Sequence, residues 1–267
     1  MRKAMRRSGS NAEYWDRRWA QSGADGAEFS DRAIYPIRFA EMVMSDTGGR
    51  TLELGCGQGR VVRHYHGRGR EITGIERSAV AVRAIKAADP NVDVRVGDAT
   101  NLDLTDGEFD VLMAFGLFHN LEHDLDAAVA ESARVLRAGG RFCISMRPDN
   151  VEMRLNERYW RWRQRQSAGP EQFHKWLIDP DAFISLLASH GLLTEQVEYA
   201  RNMSNLYRLP MLRSRQDAAA REQDRRAGGY RLNALGRWID TQLMRRWPEQ
   251  FCNAVVFLGS RDDGNRR

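Results

Sequence analysis

Cysteine is scarce: Cys56, Cys143 and Cys252 are the only three in 267 residues. Their odd number and wide spacing exclude a disulfide framework and a CxxC metal site. Each lies in an apolar or glycine-rich stretch, so all three are expected to be buried, reduced thiols. Long apolar runs are missing too, and no segment reaches the roughly 18 residues that a membrane-spanning helix needs. The charged start MRKAMRR runs into polar SGSNAEYW rather than an apolar stretch, so no signal peptide is expected. A reduced, cytoplasmic setting is the expectation. Lysine is nearly absent, with Lys3, Lys86 and Lys175 standing among 41 basic residues. Such an arginine bias follows from a GC-rich genome as readily as from nucleic-acid binding. The overall net charge of +5 is therefore weak evidence for a polyanionic partner.

Hydrophobic residues make up 42% of the chain and aromatics 9%, enough to bury a substantial core and to exclude a wholly disordered chain. The length suits one large domain or a core with an appended cap. Charge is unevenly placed. Residues 1–153 carry 21 basic and 23 acidic side chains, while residues 154–267 carry 20 and 13. The excess positive charge lies in the C-terminal part, where an anionic partner is expected to be met.

No internal repeat is apparent. Between residues 50 and 147 short apolar runs alternate with amphipathic stretches, the pattern of βαβ units on a parallel sheet. Strands are expected at 51–54, 71–75, 92–96, 109–115 and 141–146. Helices are expected over 78–88, stopped by Pro90, and over 124–136, ended by Gly139 and Gly140. This segment reads as a doubly wound α/β core. Beyond it, 157–166 reads as helical. Asp179 and Pro180 start a helix that Gly191 stops. Residues 192–199 and 252–258 read as two more strands, separated by an insertion over about 202–250. Within it, Leu232, Leu235, Trp238, Ile239, Leu243 and Trp247 fall largely on one helical face, flanked by Arg237, Arg245 and Arg246.

The run LELGCGQGR places Gly55, Gly57 and Gly59 directly after the first strand and before a helix. That context asks for a tight turn whose backbone approaches a nucleotide-like cofactor, where a Cβ would obstruct. Arg60 stands where the dinucleotide fingerprint needs glycine, and no Gly-Lys-Ser/Thr of a phosphate loop follows. Glu76 ends the second strand, where a carboxylate accepts hydrogen bonds from ribose hydroxyls. Asp98 and Ala99 follow the third strand, placed to meet an adenine ring.

These pieces, with FDVLMAFGLFHNLE and ARVLRAGGRF, occur in the order found in class I S-adenosylmethionine (SAM) dependent methyltransferases, and the chain resembles that family over about its first 150 residues. The resemblance implies a Rossmann-like doubly wound seven-stranded sheet of order 3-2-1-4-5-7-6, with a helical C-terminal insertion between the last two strands. It implies an N-terminal helical lid over 1–40, a SAM-binding core over 41–150, and cap helices plus the last two strands over 151–267. By the same resemblance Glu53, Gly55, Cys56, Gly57 and Gly59 wrap the methionine part of SAM. Glu76, with Arg77 beside it, holds the ribose, Asp98 and Ala99 hold the adenine, and Phe115 and Gly116 lie beside the sulfonium. Tyr14, with Trp15, resembles aromatics that close over SAM.

Methyl transfer needs a general base only when the acceptor must lose a proton. His119 follows the fourth strand at the methyl end and is the candidate base, the competing reading being a histidine that packs there without catalysis. HNLEH spells the HxxEH pattern of inverzincins, yet it opens a loop after a Rossmann-like strand, so a zinc protease is rejected. Ubiquinone-pathway O-methyltransferases carry a metal-binding Glu-x-x-Glu-His run there, and His119 replaces its first Glu, so no metal is expected. His174 is expected to be exposed, the competing reading being that it reaches the substrate cleft, and His64, His66 and His190 are expected to lie at the surface or at helix ends.

ERYWRWRQRQ, YRLPMLRSR and RWIDTQLMRRW interleave arginine with Trp, Tyr and Leu. Three readings stay open: a cap with inward aromatics, a surface resting on an anionic membrane at its inner face, and a nucleic-acid face. Nucleic acid ranks last, because the arginines are scattered and no Asn-Pro-Pro-Tyr motif follows the fourth strand. The stretches YRLPMLR, RLNALG and FCNAVVFLG are similar to bacterial methyltransferases of small molecules and saccharides. The expected function is SAM-dependent methylation of a small-molecule or lipid- or saccharide-linked, anionic acceptor, O-methylation being favoured by His119. The alternatives are an RNA or protein methyltransferase, or a silent SAM-binding regulator.

Overall fold

A computed structural model describes residues 2–8, 15, 35–44, 48–164, 171–201, 204–216 and 231–264. Its nine strands are β1 (Arg2–Ser8), β2 (Thr51–Leu54), β3 (Ile72–Glu76), β4 (Asp93–Val96), β5 (Phe109–Phe115), β6 (Leu136–Met146), β7 (Glu171–Ile178), β8 (Leu192–Ala200) and β9 (Ala254–Arg261). Seven of them form one sheet in the order β4-β3-β2-β5-β6-β9-β8. Counted from β2 with β1 and β7 set aside, that is the expected 3-2-1-4-5-7-6. The strands from β4 to β6 pair in parallel, and β9 runs antiparallel between β6 and β8.

The central parallel strands β2, β3 and β5 are buried on both faces, which is why they read as largely apolar runs, whereas the edge strand β4 is mostly exposed. Alternation within β5 and β6 divides the core. Leu112, Ala114, Phe142 and Ile144 face one layer, which holds α4 (Leu125–Val135) and α6 (Pro180–Ser189). Val111, Met113 and Cys143 face the other, with α1 (Ile37–Met44), α2 (Arg60–His66) and α3 (Ala79–Ala88). Caps set the helix starts as the sequence leads one to expect. Ser78 accepts the Ala81 N–H at the head of α3, and Asp179 accepts the Ala182 N–H at the head of α6.

Three departures matter. Gly139 and Gly140 do not cap α4; the helix stops at Val135, and Leu136 already pairs with Phe109, so both glycines lie within β6. Within the expected helical lid, residues 2–8 form β1 instead, antiparallel to β7, and this second sheet was not foreseen. The helix expected at 157–166 begins earlier, as α5 (Val151–Gln164). Among the described residues, the insertion between β8 and β9 contributes two short 3-10 turns and α7 (Ala234–Arg246) before the short α8 (Pro248–Phe251). The apolar face expected there is split, with Leu232 buried and Leu235, Trp238 and Trp247 more than half exposed.

A buried ion cluster fastens this cap. Arg201, at the end of β8, lies 2.7 Å from Glu152 of α5 and pairs with Asp240 of α7, and the first pair is almost fully buried. Glu152 also accepts the Asn205 N–H. Arg201→Leu leaves Glu152 uncompensated and should cost about 3–5 kcal/mol of stability. In urea denaturation the double variant Arg201→Leu/Glu152→Leu should recover part of that loss; a double variant as unstable as the sum of two singles would refute the pairing.

Candidate functional site

The turn after β2 is built on glycine for steric reasons. Gly55, Gly57 and Gly59 have φ of 68°, 56° and 72°, the left-handed region that side chains resist. Two carboxylates fasten this turn. Glu76, at the end of β3, accepts the Gly57 N–H through Oε2 at 2.8 Å and the Ser78 N–H through Oε1 at 2.9 Å. Glu53, at the end of β2, is buried beneath the turn and accepts the Val62 N–H at 3.1 Å. Burial pushes the Glu53 carboxyl up to about 8, opposed by the Val62 N–H and reinforced by the Glu76 charge. Cys56 points inward, since a Cβ on Gly74 would lie 2.9 Å from its Sγ, and burial holds its thiol well above the usual range.

Farther along the same edge the Gly97 N–H donates to the Glu76 carbonyl, which puts Asp98 beside Glu76. Asp98 accepts the Thr100 N–H at 2.9 Å and its hydroxyl at 2.8 Å, and the first of these holds its carboxyl below the usual range. Arg77 is exposed, and its charge acts on Asp98 in the same direction. Ala99 is buried in the core.

At the end of β5 Phe115 packs edge-on against Tyr35, whose hydroxyl meets Ser145 Oγ at 2.5 Å. The same Oγ accepts the Gly116 N–H at 3.1 Å. Burial raises the Tyr35 hydroxyl above its ordinary value, so the phenol stays protonated. His119 lies over Gly116, because a Cβ there would reach its Cε1 at 3.5 Å. Its ring is buried, and Nδ1 has no hydrogen-bond partner among the described residues. Burial first, then the charges of Lys175, Arg147 and His174, hold its pKa well below 6.5.

These last residues arrive by way of β7. The Ile178 N–H donates to the Arg147 carbonyl, and the Trp176 indole donates to the Leu121 carbonyl at 2.7 Å. The β1–β7 sheet therefore roofs the carboxyl ends of β5 and β6. His174 is buried rather than exposed, at the irregularity in β7 where Met5 pairs with Lys175 and Arg6 with Phe173. His64 is buried as well, 3.7 Å from Glu41, instead of lying at the surface. Glu122 and His123 stay exposed while His119 is buried, so HNLEH does not converge on one point. Among the described residues no group of three or more His, Cys, Asp or Glu is arranged to hold a metal ion.

Residues 52–144 match the family described as Methyltransferase domain. A probable S-adenosylmethionine-dependent methyltransferase of Mycolicibacterium smegmatis is 36% identical over 100 residues, covering 37% of this chain and 38% of that protein. A 27-O-demethylrifamycin SV methyltransferase of Amycolatopsis mediterranei is 33% identical, covering 49% of this chain and 48% of its own. The crystal structure of a Pyrococcus horikoshii protein shares the fold with a TM-score of 0.59 at 17% identity, covering 94% of this chain and 99% of that one. The chain thus carries a methyltransferase domain over 52–144 and is similar there to SAM-dependent methyltransferases. Its matched stretch spans less than half the length of those two relatives.

The site fits SAM, the cofactor named for the similar proteins. A carboxylate offers about four acceptor positions, and Glu76 commits two to backbone N–H groups, leaving two for a ribose diol. The glycine turn, Glu76, Asp98, Phe115 and Gly116 share the carboxyl edge of the sheet, as expected. Glu53 and Cys56 instead turn their side chains beneath the turn and support it from below. Tyr14 lies outside the described residues. Tyr35, Ser145, Arg147 and Lys175 were not foreseen as site residues, having no motif around them.

Glu76→Ala should weaken SAM binding by about 1–3 kcal/mol in calorimetry, and unchanged affinity would remove its ribose role. Glu53 makes a separate prediction. Between pH 4.5 and 8 the unfolded chain releases a proton that folded Glu53 keeps, so its contribution to stability falls as pH rises. Glu53→Gln should match the wild type near pH 4.5 and exceed it by about 1–3 kcal/mol at pH 8. Melting curves that stay parallel across that window would contradict a buried neutral carboxyl.

Proposed function

We propose that this protein is a SAM-dependent methyltransferase acting on a small-molecule or lipid- or saccharide-linked acceptor of anionic character, methylating an oxygen. The observation that carries this reading is His119, buried at the end of β5 with an Nδ1 unpartnered among the described residues and with Lys175, Arg147 and His174 around it. Bound SAM supplies a methyl carbon already activated by its sulfonium, so alignment and exclusion of water account for most of the remaining demand. The β1–β7 roof supports the second of these. A hydroxyl acceptor must also lose its proton, and a neutral imidazole can take it. The low pKa of His119 keeps that imidazole neutral. Arg147 and Lys175 give the surroundings of His119 positive charge, which suits a carboxylate or phosphate on the acceptor. O-methylation agrees with the name of the 27-O-demethylrifamycin SV methyltransferase.

Two measurements test the base. His119→Ala should lower kcat about 100-fold while leaving calorimetric SAM affinity unchanged. Because the folded pKa is depressed, protonation of His119 should impair turnover only below pH 6.5. An acid limb at or above that value, or wild-type turnover in the alanine variant, would take His119 out of the mechanism.

A further inference from the structure

The cap helices keep their acids inside and their apolar side chains out. Of the nine large hydrophobic side chains left exposed among the described residues, eight fall within residues 151–247. On α5, Val151, Leu155 and Trp162 follow one another at helical spacing with Arg158 in the same stripe, and Trp162 is 66% exposed. On α7, Leu235 and Trp238 form a second outward pair, and Met211 beside them is 78% exposed. These elements form one layer. Asn205 and Arg208 donate to the Glu152 carbonyl and to Asn156 of α5, while Asn233 at the head of α7 donates to the Met211 carbonyl.

Charge is sorted across this layer. The only acids on the two helices are Glu152, Glu157 and Asp240, and each turns onto a cation: Arg201 for the first and last, Lys3 and Arg161 for Glu157. Arg158, Arg237, Arg245 and Arg246 stay exposed, while Arg154 pairs with Asp149 just before α5. The outer face is thus apolar and basic.

We propose that this face, formed by α5, Met211 and α7, rests on an anionic lipid surface. Exposed tryptophan and aliphatic side chains with flanking arginines are what an interfacial helix presents to headgroups and acyl chains. A second copy docking the same face would bring arginine against arginine. Nucleic acid would use the arginines and tryptophans but leave Leu155, Met211 and Leu235 without a role. The inference is independent of the acceptor, because lipid binding is read without methyl transfer.

The test is co-sedimentation of the full chain with vesicles of phosphatidylcholine alone and of phosphatidylcholine mixed with phosphatidylglycerol. The protein should sediment with the mixed vesicles at low salt and dissociate as salt rises. Trp162→Ser/Trp238→Ser and Arg158→Glu/Arg237→Glu should each weaken that binding about tenfold while SAM affinity, which reports the fold, is retained. Absence of binding at low salt would overturn the proposal. So would binding unaffected by both double variants, a dimer in analytical ultracentrifugation that those variants dissociate, or tighter binding to RNA than to the mixed vesicles.

Discussion

The site depends on one carboxylate that joins two strands. Glu76 stands at the end of β3, yet both of its oxygens accept backbone N–H groups, one from the turn after β2 and one from the start of α3. Charge-assisted bonds of this kind are about twice as strong as neutral ones. They hold a left-handed glycine turn in a shape that it would not keep unaided. Glu53 completes the arrangement from below. It ties the end of β2 to the first turn of α2 and remains neutral, since burial outweighs the one N–H it accepts. The two acids share a neighbourhood because only one of them is charged at neutral pH.

From that fixed turn the remaining geometry follows the sheet. Parallel strands end their carboxyl groups on one edge, so the loops after β2, β3, β4 and β5 must meet there. What makes the edge a closed site is the second sheet. β7 follows the arginine-rich α5, crosses back over the ends of β5 and β6, and is tied there by the Arg147 and Leu121 carbonyls. The dehydrated, positively charged surroundings of His119 exist only because β7 covers them.

The core could be read from the sequence because each of its elements carries a local signal. Buried parallel strands appear as apolar runs, Ser78 and Asp179 announce their helices, and glycine spacing marks the turn. Strands β1 and β7 gave no such signal. RKAMRRS presents Met5 as its one buried described hydrophobe, and EQFHKWLI mixes Phe173 and Leu177 with His174 and Lys175. Their identity as strands comes from pairing Arg2 with Ile178 and Ser8 with Glu171, contacts far apart in the chain. The same distance hid Tyr35 and Ser145, which join across the site by a hydrogen bond that no spacing rule encodes. Histidines misled for a related reason. His64 and His174 look polar in sequence, and tertiary packing buries both.

The cap shows how one composition serves two ends. Arginine is abundant there, but its positions separate into two groups with opposite surroundings. Arg201 is buried and holds both Glu152 and Asp240, so these two acids are turned inward onto it. Arg161 and Arg154 are paired with Glu157 and Asp149, whereas Arg158, Arg237, Arg245 and Arg246 are exposed on α5 and α7, and their field extends outward. A buried arginine in this protein therefore fixes the position of α5 against α7, and that position decides where the exposed arginines and tryptophans are displayed. The internal ion cluster and the external basic face are parts of one arrangement, in which inward acids leave the surface with a single sign of charge.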